Sequence, residues 1–184
     1  MDELIDIVDE LGNATGRTAL KSEIHKNGWY HNTIHLWLYT ENKEILLQQR
    51  SHKKKIHPLL WDVSVAGHID AGEHFEEAAV REAYEEVGLQ LDPKSLSKVG
   101  IHKHESVYAD GTIKDYEFHH VYIAKLSVGL DQLKPQPNEV EALKLVPLSE
   151  FQALVEHCGI DNHFIASNKA YYEFVLNTIK SIDG

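Results

Sequence analysis

Residues 67–89 read GHIDAGEHFEEAAVREAYEEVGL, a stretch in which a glycine-containing turn runs into a helical pattern. After the turn Gly67–Gly72, apolar residues recur at every fourth position, namely Phe75, Ala79, Ala83 and Val87. That period is close to one helical turn, so it predicts a helix from about His74 to Val87 with one apolar face against a sheet. Gly88 follows where such a helix is expected to end. This stretch therefore predicts a loop followed by a helix that packs against the strands of a sheet.

Three glutamates of this helix, Glu82, Glu85 and Glu86, stand at positions i, i+3 and i+4. Side chains at that spacing lie on one helix face, so their charges repel one another unless a cation lies between them. A glutamate-rich helix is, however, most often a solvated surface. The three acids indicate a function only when they are considered together with the spacing of the residues around them, which we call the frame.

That frame begins at Gly67 and ends at Leu89. Its remaining specified positions are Glu73, Arg81-Glu82, Glu85-Glu86 and Gly88. The frame resembles the Nudix box at every specified glycine and polar position, and only Ala83 is smaller than the aliphatic residue common there. The resemblance implies an α+β fold of the Nudix type, an α/β/α sandwich around a mixed β-sheet. It also implies a hydrolase of the MutT-like kind, a metal-dependent pyrophosphohydrolase.

The resemblance and metal chemistry together suggest roles for the residues of the box. Mg²⁺, or Mn²⁺ in its place, prefers oxygen ligands, so convergent carboxylates and substrate phosphates suit it. The expected metal ligands are Glu82, Glu85, Glu86 and, by analogy, the carbonyl of Gly67. Glu82 can also act as the base for the attacking water. Arg81 and Glu73 complete the catalytic set, and we favour for Arg81 the orientation of Glu73 or another box carboxylate over contact with substrate.

The composition is that of an ordinary globular protein. Its 184 residues fit one domain, and fractions of 42% hydrophobic and 26% charged residues are typical of a folded, water-soluble one. The excess of 29 acidic over 18 basic residues disfavours nucleic acid as a partner, because binding to it depends on Lys and Arg. A small phosphorylated substrate is compatible with this charge, since cations held by carboxylates reverse the local field.

Localisation is predicted from what the sequence lacks. No apolar run approaches the roughly 20 residues that a membrane helix needs. The first residues, Met1-Asp2-Glu3, are acidic where a secretory signal is basic. Cys158 is the one cysteine and cannot form an internal disulfide. We therefore expect a cytoplasmic protein with no membrane partner, and the sequence leaves its oligomeric state open.

We expect a single domain over residues 1–184, with the box at 67–89. An extension of about residues 1–30 should hold a strand at Leu4–Val8, a turn at Gly12–Gly16 and a short helix near Thr18–Lys26. Further strands are predicted at Thr33–Thr40, Ile45–Gln49, Trp61–Ala66, Ser97–Tyr108, Ile113–Ser127 and Val140–Pro147. Two helices should occupy about residues 149–182, the first capped by Ser149 and the second running from Ser167 to Ile182.

Outside the box, about residues 8–88 resemble the isopentenyl-diphosphate-isomerase-like branch of the Nudix superfamily. The resembling features are Thr15-Gly16, His25, His31, the strand end Leu47–Ser51, and Trp61 through Gly67-His68. True isomerases carry a cysteine before the glycine-histidine pair, where this chain has Ala66, and a late tryptophan, whereas the last one here is Trp61. Both departures favour hydrolysis. An isomerase-like enzyme and a non-catalytic nucleotide-binding regulator remain the alternatives.

A second metal site is a further hypothesis from this resemblance. The isomerase metal site draws on histidines and glutamates, and the matching positions here are His25, His31, His68, Asp115 and Glu117. Asp115, Glu117 and His119 alternate along a predicted strand and so share one face. Glu117 is expected either to supply a ligand from outside the box or to pair across strands.

Arg50 and Lys54 are the candidate contacts to substrate phosphates. Lys54 belongs to a run of three consecutive lysines, Lys53–Lys55, in the loop that follows Arg50. A solvated lysine loop is the competing interpretation.

Overall fold

A computed structural model describes residues 2–182, in which nine strands form one mixed sheet. The strands are β1 Leu4–Val8, β2 Ala14–Leu20, β3 His31–Tyr39, β4 Glu44–Arg50, β5 Trp61–Asp62, β6 Val65–His68, β7 Ser97–Tyr108, β8 Ile113–Lys125 and β9 Val140–Pro147. The helices are α1 Lys21–Asn27, α2 Phe75–Val87, α3 Leu148–Glu156 and α4 Lys169–Ser181. None of the described helices is both long and apolar enough to span a membrane.

Strand β3 lies at the centre of the sheet and is buried along nearly its whole length. It pairs in parallel with β8, from His31 opposite Glu117 to Tyr39 opposite Lys125, and antiparallel with β1, β4 and β6. Parallel and antiparallel pairing in one sheet confirms the mixed sheet that the Nudix-type fold implies.

The two faces of β3 meet different helices, because successive side chains of a strand point to opposite sides. Ile34, Leu36 and Leu38 pack in one apolar cluster with the alanines of α2. Trp37 and Tyr39 pack in the other cluster with Phe151 of α3 and Tyr171 of α4. Helices thus cover both faces of the sheet, and the expected α/β/α layering is confirmed.

Helix α2 begins at Phe75, one residue after the predicted start, and ends at Val87 as predicted. Its buried face consists of Ala78, Ala79, Ala83 and Val87, together with Glu86. The alanines are fully buried against the sheet. A larger side chain at the same positions would push the helix away from the sheet. Gly88 ends the helix with a left-handed φ of 70° while its N–H donates to the carbonyl of Tyr84 in the last turn.

The strand predicted at Trp61–Ala66 is wrong as a single element. Residues 61–62 pair with β4, whereas residues 65–68 pair with β3. Ser64 lies at the crossing, where its hydroxyl donates to the carbonyl of Leu46 and accepts from the amide of Leu38. The Ser64 hydroxyl thus takes the place of two backbone hydrogen bonds of the sheet. The chain can therefore pass from one neighbouring strand to the other while the Leu46 carbonyl and the Leu38 amide keep a partner.

The N-terminal prediction is only partly correct. Residues 14–20 form β2 rather than a turn followed by a helix, and α1 begins three residues later than predicted, at Lys21. Residues 14–20 form a strand because they pair with β1. The Thr15 hydroxyl adds to this pairing by donating to the carbonyl of Ile7 at 2.6 Å. β-branched residues such as Thr15 also favour strands.

The C-terminal helices lie close to their predicted positions. Helix α3 begins at Leu148 with Pro147 as its N-terminal flanking residue, so Ser149 lies inside the helix and is not its cap. A short 3-10 turn at Ala166–Asn168 precedes α4. Cys158 is a free, buried thiol.

Gly88 gives a test of the helix end. A Cβ at this residue would lie 2.9 Å from Cβ of Lys134 in addition to adopting a left-handed backbone. We expect Gly88→Ala to lower the free energy of unfolding by about 2–3 kcal/mol, as the sum of backbone strain and overpacking. Gly72→Ala is the matched control, because Gly72 has a φ of 79° but open space around its Cβ position. Urea denaturation that finds equal losses for both variants would contradict the packing argument.

Candidate functional site

A cavity of about 880 Å³ opens between α1, the C-terminal half of α2, the β7–β8 hairpin and the loop that follows β4. It is lined by 30 residues. Among them are an acidic side on α2, a histidine cluster on the sheet and a basic rim. All but one of the predicted metal ligands are among them, namely Gly67, Glu82, Glu85, Glu86, His25, His68, Asp115 and Glu117. The exception, His31, is buried beside them, with its ring centroid 5.2 Å from that of His25 and 5.3 Å from that of His68.

The acidic side depends on close contact between β6 and α2. A Cβ at Gly67 would lie 2.0 Å from Cδ of Glu82, so only glycine fits beneath this carboxyl group. The strand backbone and the Glu82 side chain therefore lie against each other at the cavity wall. This contact explains physically why the frame begins with a glycine.

Glu86 is a buried and Glu82 a partly buried carboxyl group on this wall. Glu86 accepts hydrogen bonds from the amide of Ala66 and from Nε2 of Gln48, both at 3.1 Å. Burial raises the pKa of Glu86 to about 8 and that of Glu82 to about 7. Glu85, about one helical turn from Glu82, has a half-exposed side chain. In the absence of a cation, the site thus favours protonated carboxyl groups at Glu82 and Glu86.

Arg81 lies outside the cavity lining and connects the turn to the helix. Its guanidinium donates to both carboxylate oxygens of Glu73, at 2.9 and 2.8 Å, and to the carbonyl of His68 at 2.9 Å. It also donates to Oε1 of Glu82 at 2.8 Å and to Glu85 at 3.3 Å. These contacts support a positioning role for Arg81 and Glu73.

A histidine cluster lies on the sheet beside the acidic side. The parallel register places His31 beside Glu117, and the antiparallel register places Thr33 beside His68, so these side chains share a face. Nε2 of His31 and Nε2 of His68 lie 3.3 and 3.6 Å from Oε1 of Glu117. His25 adds its ring from α1, 3.3 Å from Asp115.

The donor atoms of this cluster fit a metal ion. One ligand atom each from His25, His31, His68 and Glu117 lie within 4.8 Å of one another. Nε2 of His31 and Nε2 of His68 are both buried and lack a hydrogen-bond partner among residues 2–182. Two orphaned nitrogens that face one carboxylate oxygen are the arrangement that an ion would satisfy.

Charge and burial act in opposite directions on the cluster. Although burial opposes it, the neighbouring His119 and His31 hold the pKa of Glu117 well below its ordinary value. Burial holds the pKa of His68 well below its ordinary value. A neutral imidazole and an ionised carboxylate are the forms in which these groups bind metal.

The basic rim contains both predicted phosphate contacts. Arg50 and Lys54 line the cavity together with Lys55, whereas Lys53 bonds to Asn138 outside it. Arg50 is partly engaged, because its guanidinium donates to the carbonyl of Ile56. Lys54 forms an ion pair with Glu139.

Several residues of the cavity were not anticipated from the sequence. Lys21 and Lys26 of α1, His57 of the β4–β5 loop, and His104 and Tyr108 of β7 all line it. A signal was present in the alternation of His102 with His104, which is typical of a strand with one polar face. Nothing in the sequence shows which strand that face would meet.

This chain belongs to the Nudix family, since the model of the NUDIX domain matches residues 29–167. It is an enzyme of the Nudix hydrolase group. Nudix hydrolase 3 of Arabidopsis thaliana is 35% identical over 154 residues, 82% of this chain and 20% of that protein. The chain thus spans about a fifth of the length of that relative.

Two other proteins show the range of the similarity. Isopentenyl-diphosphate Delta-isomerase 2 of Photorhabdus laumondii is 30% identical over 161 residues, 85% of this chain and 84% of that protein. The solved structure of DR0079 from Deinococcus radiodurans has a TM-score of 0.66, with coverage of 92% of this chain and 98% of that one. Its sequence is 19% identical, so it shows the shared fold alone.

The buried carboxyl group of Glu86 predicts a pH dependence of the chelated, metal-free protein. Its folded-state pKa of about 8 exceeds the ordinary value of 4.5, so its contribution to stability is complete below about pH 4.5 and is lost as the pH rises through 8. We expect the melting temperature of the wild type to fall relative to that of Glu86→Gln between pH 5 and pH 8. Glu77→Gln, on the exposed face of the same helix, is the control. Parallel curves for wild type and Glu86→Gln would rule out the burial effect.

Proposed function

We propose that this chain is a metal-dependent pyrophosphohydrolase. It cleaves a phosphoanhydride bond in a small substrate, a nucleoside-diphosphate-linked compound or a related organic pyrophosphate. The observation that carries the proposal is the complete set of Glu82, Glu85 and Glu86 on one wall of a cavity whose rim holds Arg50 and Lys54. Carboxylates that can bind cations and basic side chains that can bind phosphates thus face the same cavity.

The chain's own residues account for the main requirements of hydrolysis. Glu82, Glu85, Glu86 and the Gly67 carbonyl would hold Mg²⁺ or Mn²⁺. Such an ion, when bound, supplies charge neutralisation for the phosphates and activation of a water.

Proton transfer from the attacking water is assigned to Glu82. Oε1 of Glu82 accepts from Arg81, which leaves Oε2 to take the proton. Arg50 and Lys54 would orient the phosphates by charge-assisted hydrogen bonds.

Isomerisation is the weaker alternative despite the similarity to an isomerase. Residue 66 lines the cavity at the position where isomerases carry a cysteine, and here it is an alanine. The methyl group of Ala66 can neither give nor take a proton, and only its amide is engaged, as a donor to Glu86. A regulator that binds nucleotide without turnover is the other alternative, and the complete acidic set argues against it.

We further propose that His25, His31, His68 and Glu117, with Asp115 beside them, bind a second divalent ion of the type that accepts nitrogen ligands. The orphaned nitrogens of His31 and His68 support this assignment. Imidazole ligands suit Zn²⁺ and other transition metals better than Mg²⁺. The two sites would therefore differ in the metal that they prefer.

A product assay tests the hydrolase proposal. Purified protein is incubated with nucleotide sugars, dinucleotides, nucleoside triphosphates and isopentenyl diphosphate, with Mg²⁺, Mn²⁺ or chelator. We expect metal-dependent release of phosphate-containing products from one compound class. We expect Glu86→Gln to lower kcat roughly 100-fold, because charge is lost while shape is kept.

Glu77→Gln is the control, because Glu77 is an exposed acid of the same helix outside the cavity lining. Full activity of Glu86→Gln would refute its assigned role. Interconversion of the isopentenyl compound without phosphate-containing products would establish the isomerase instead.

The histidine site is tested by Co²⁺ titration, followed by visible absorption, with excess Mg²⁺ to fill the carboxylate site. We expect His25→Gln to weaken Co²⁺ binding at least about tenfold, because a ligand is lost. His52→Gln is the control, since His52 has an exposed side chain that pairs with Glu141 outside the cavity lining. Identical Co²⁺ affinity and spectrum in His25→Gln would exclude the site.

A further inference from the structure

Five aromatic rings form a continuous row on the cavity wall. His57 lies edge-on to Tyr108 with a centroid distance of 5.2 Å, and the Tyr108 hydroxyl lies 3.5 Å from Nε2 of His104. His104 stacks on His119 at 5.3 Å, and His119 stacks on His35 at 3.9 Å. All five residues line the cavity. We refer to His35, His57, His104, Tyr108 and His119 as the ring wall.

The inner end of the ring wall is anchored in the core. Nδ1 of His35 lies 2.9 Å from the hydroxyl of Tyr171, which also accepts a hydrogen bond from Nε1 of Trp37 at 2.8 Å. Nδ1 of His119 lies 2.8 Å from the hydroxyl of Thr33. These buried contacts hold the rings of His35 and His119 in place, which reduces the entropy lost when a ligand binds.

The ring wall differs in charge from the other parts of the cavity. Burial lowers the pKa of His57 and raises that of Tyr108. These two rings at the outer end of the wall are therefore uncharged at neutral pH. The acidic side and the basic rim suit a metal-bound diphosphate, whereas uncharged rings suit the organic part of a substrate.

His57 stands at the outer end of the wall in a backbone conformation that has to be imposed. Its φ is 48°, and Leu59 two residues later has a φ of 62°. Residues at the end of β4 hold this loop in place, as Arg50 donates twice to the carbonyl of Ile56 and Gln49 donates to the carbonyl of Leu59. Strained residues held in this way are concentrated at ligand-binding sites.

The imidazole of His57 also has an unmet hydrogen bond. Its Nε2 is buried and has no partner among residues 2–182. A buried polar atom without a partner costs free energy, which a ligand atom at hydrogen-bonding distance would recover. His57 lines this end of the cavity, where a small rotation of the imidazole would bring this nitrogen within reach of a ligand.

We propose that the ring wall binds the organic group of the pyrophosphate substrate and that Nε2 of His57 selects a group with a hydrogen-bonding atom over a hydrocarbon. This inference rests on the proposed function for the position of the diphosphate. A planar polar group can stack on uncharged rings and pair with His57. A hydrocarbon chain would leave that nitrogen unpaired, and a site built around a hydrogen bond discriminates strongly against a group that lacks it.

Ligand binding separates this inference from catalysis. Dissociation constants are measured by calorimetry with Ca²⁺ in place of Mg²⁺, with uridine diphosphate glucose and adenosine diphosphate ribose as polar probes and isopentenyl diphosphate as the hydrocarbon probe. We expect the wild type to bind at least one polar probe more tightly than isopentenyl diphosphate. We expect His57→Phe to weaken binding of that probe about tenfold, which corresponds to the loss of one hydrogen bond.

Binding of isopentenyl diphosphate should be unchanged in His57→Phe. His57→Gln, which keeps an amide nitrogen at a similar reach, should recover part of the affinity for the polar probe. His52→Phe is the matched control on the same loop, and circular dichroism checks the fold of each variant.

Equal losses for both kinds of probe would show that His57 only shapes the loop, and this would overturn the inference. So would unchanged binding of the polar probes in His57→Phe, or tighter binding of isopentenyl diphosphate by the wild type. If the expected binding pattern appears but none of the compounds is cleaved with Mg²⁺ or Mn²⁺, the proposed hydrolysis fails while the role of the ring wall stands.

Discussion

The guanidinium of Arg81 is the contact on which the acidic side of the cavity depends. It joins Glu73 in the turn, the carbonyl of His68 at the end of β6, and Glu82 on α2. A partly buried arginine needs such partners, and the partners lose their compensating charge if it is removed. The turn, the strand end and the helix are thus held as one unit. Gly67 then allows Glu82 to lie directly against the strand.

The parts of the fold that could be predicted from sequence were those with a local signal. The helix over residues 75–87 follows from apolar residues at every fourth position, and the long strands β3, β7, β8 and β9 follow from apolar or alternating runs. The division of residues 61–68 between two neighbours was not predictable. It depends on the Ser64 hydroxyl, which forms hydrogen bonds to two different strands. No sequence pattern predicts a contact of that kind.

The same distinction applies to the candidate site. The acids of the box lie within one stretch of chain, so their spacing was enough to place Glu82, Glu85 and Glu86 together. The histidine cluster draws on α1, β3, β6 and β8, and only a family resemblance suggested that His25 and Glu117 would meet. The ring wall had no such guide, because His57 and His35 come from segments whose approach is decided by sheet register and by the loop after β4. Alternation can reveal a polar face, but it does not reveal what that face meets.

The β7–β8 hairpin reaches beyond the strand that supports it. Pairing between β3 and β8 begins at Glu117, whereas pairing between β7 and β8 continues outward to Tyr108 and Ile113. The outer arm carries Tyr108, Ile113 and Asp115 into the cavity lining, and its turn lies outside the central sheet. Insertions or deletions at that turn would leave the pairing of His31 with Glu117 undisturbed. Evolution could therefore lengthen, shorten or rewrite the part of this arm beyond Asp115 to alter the substrate range while the metal-binding framework beneath it was inherited unchanged.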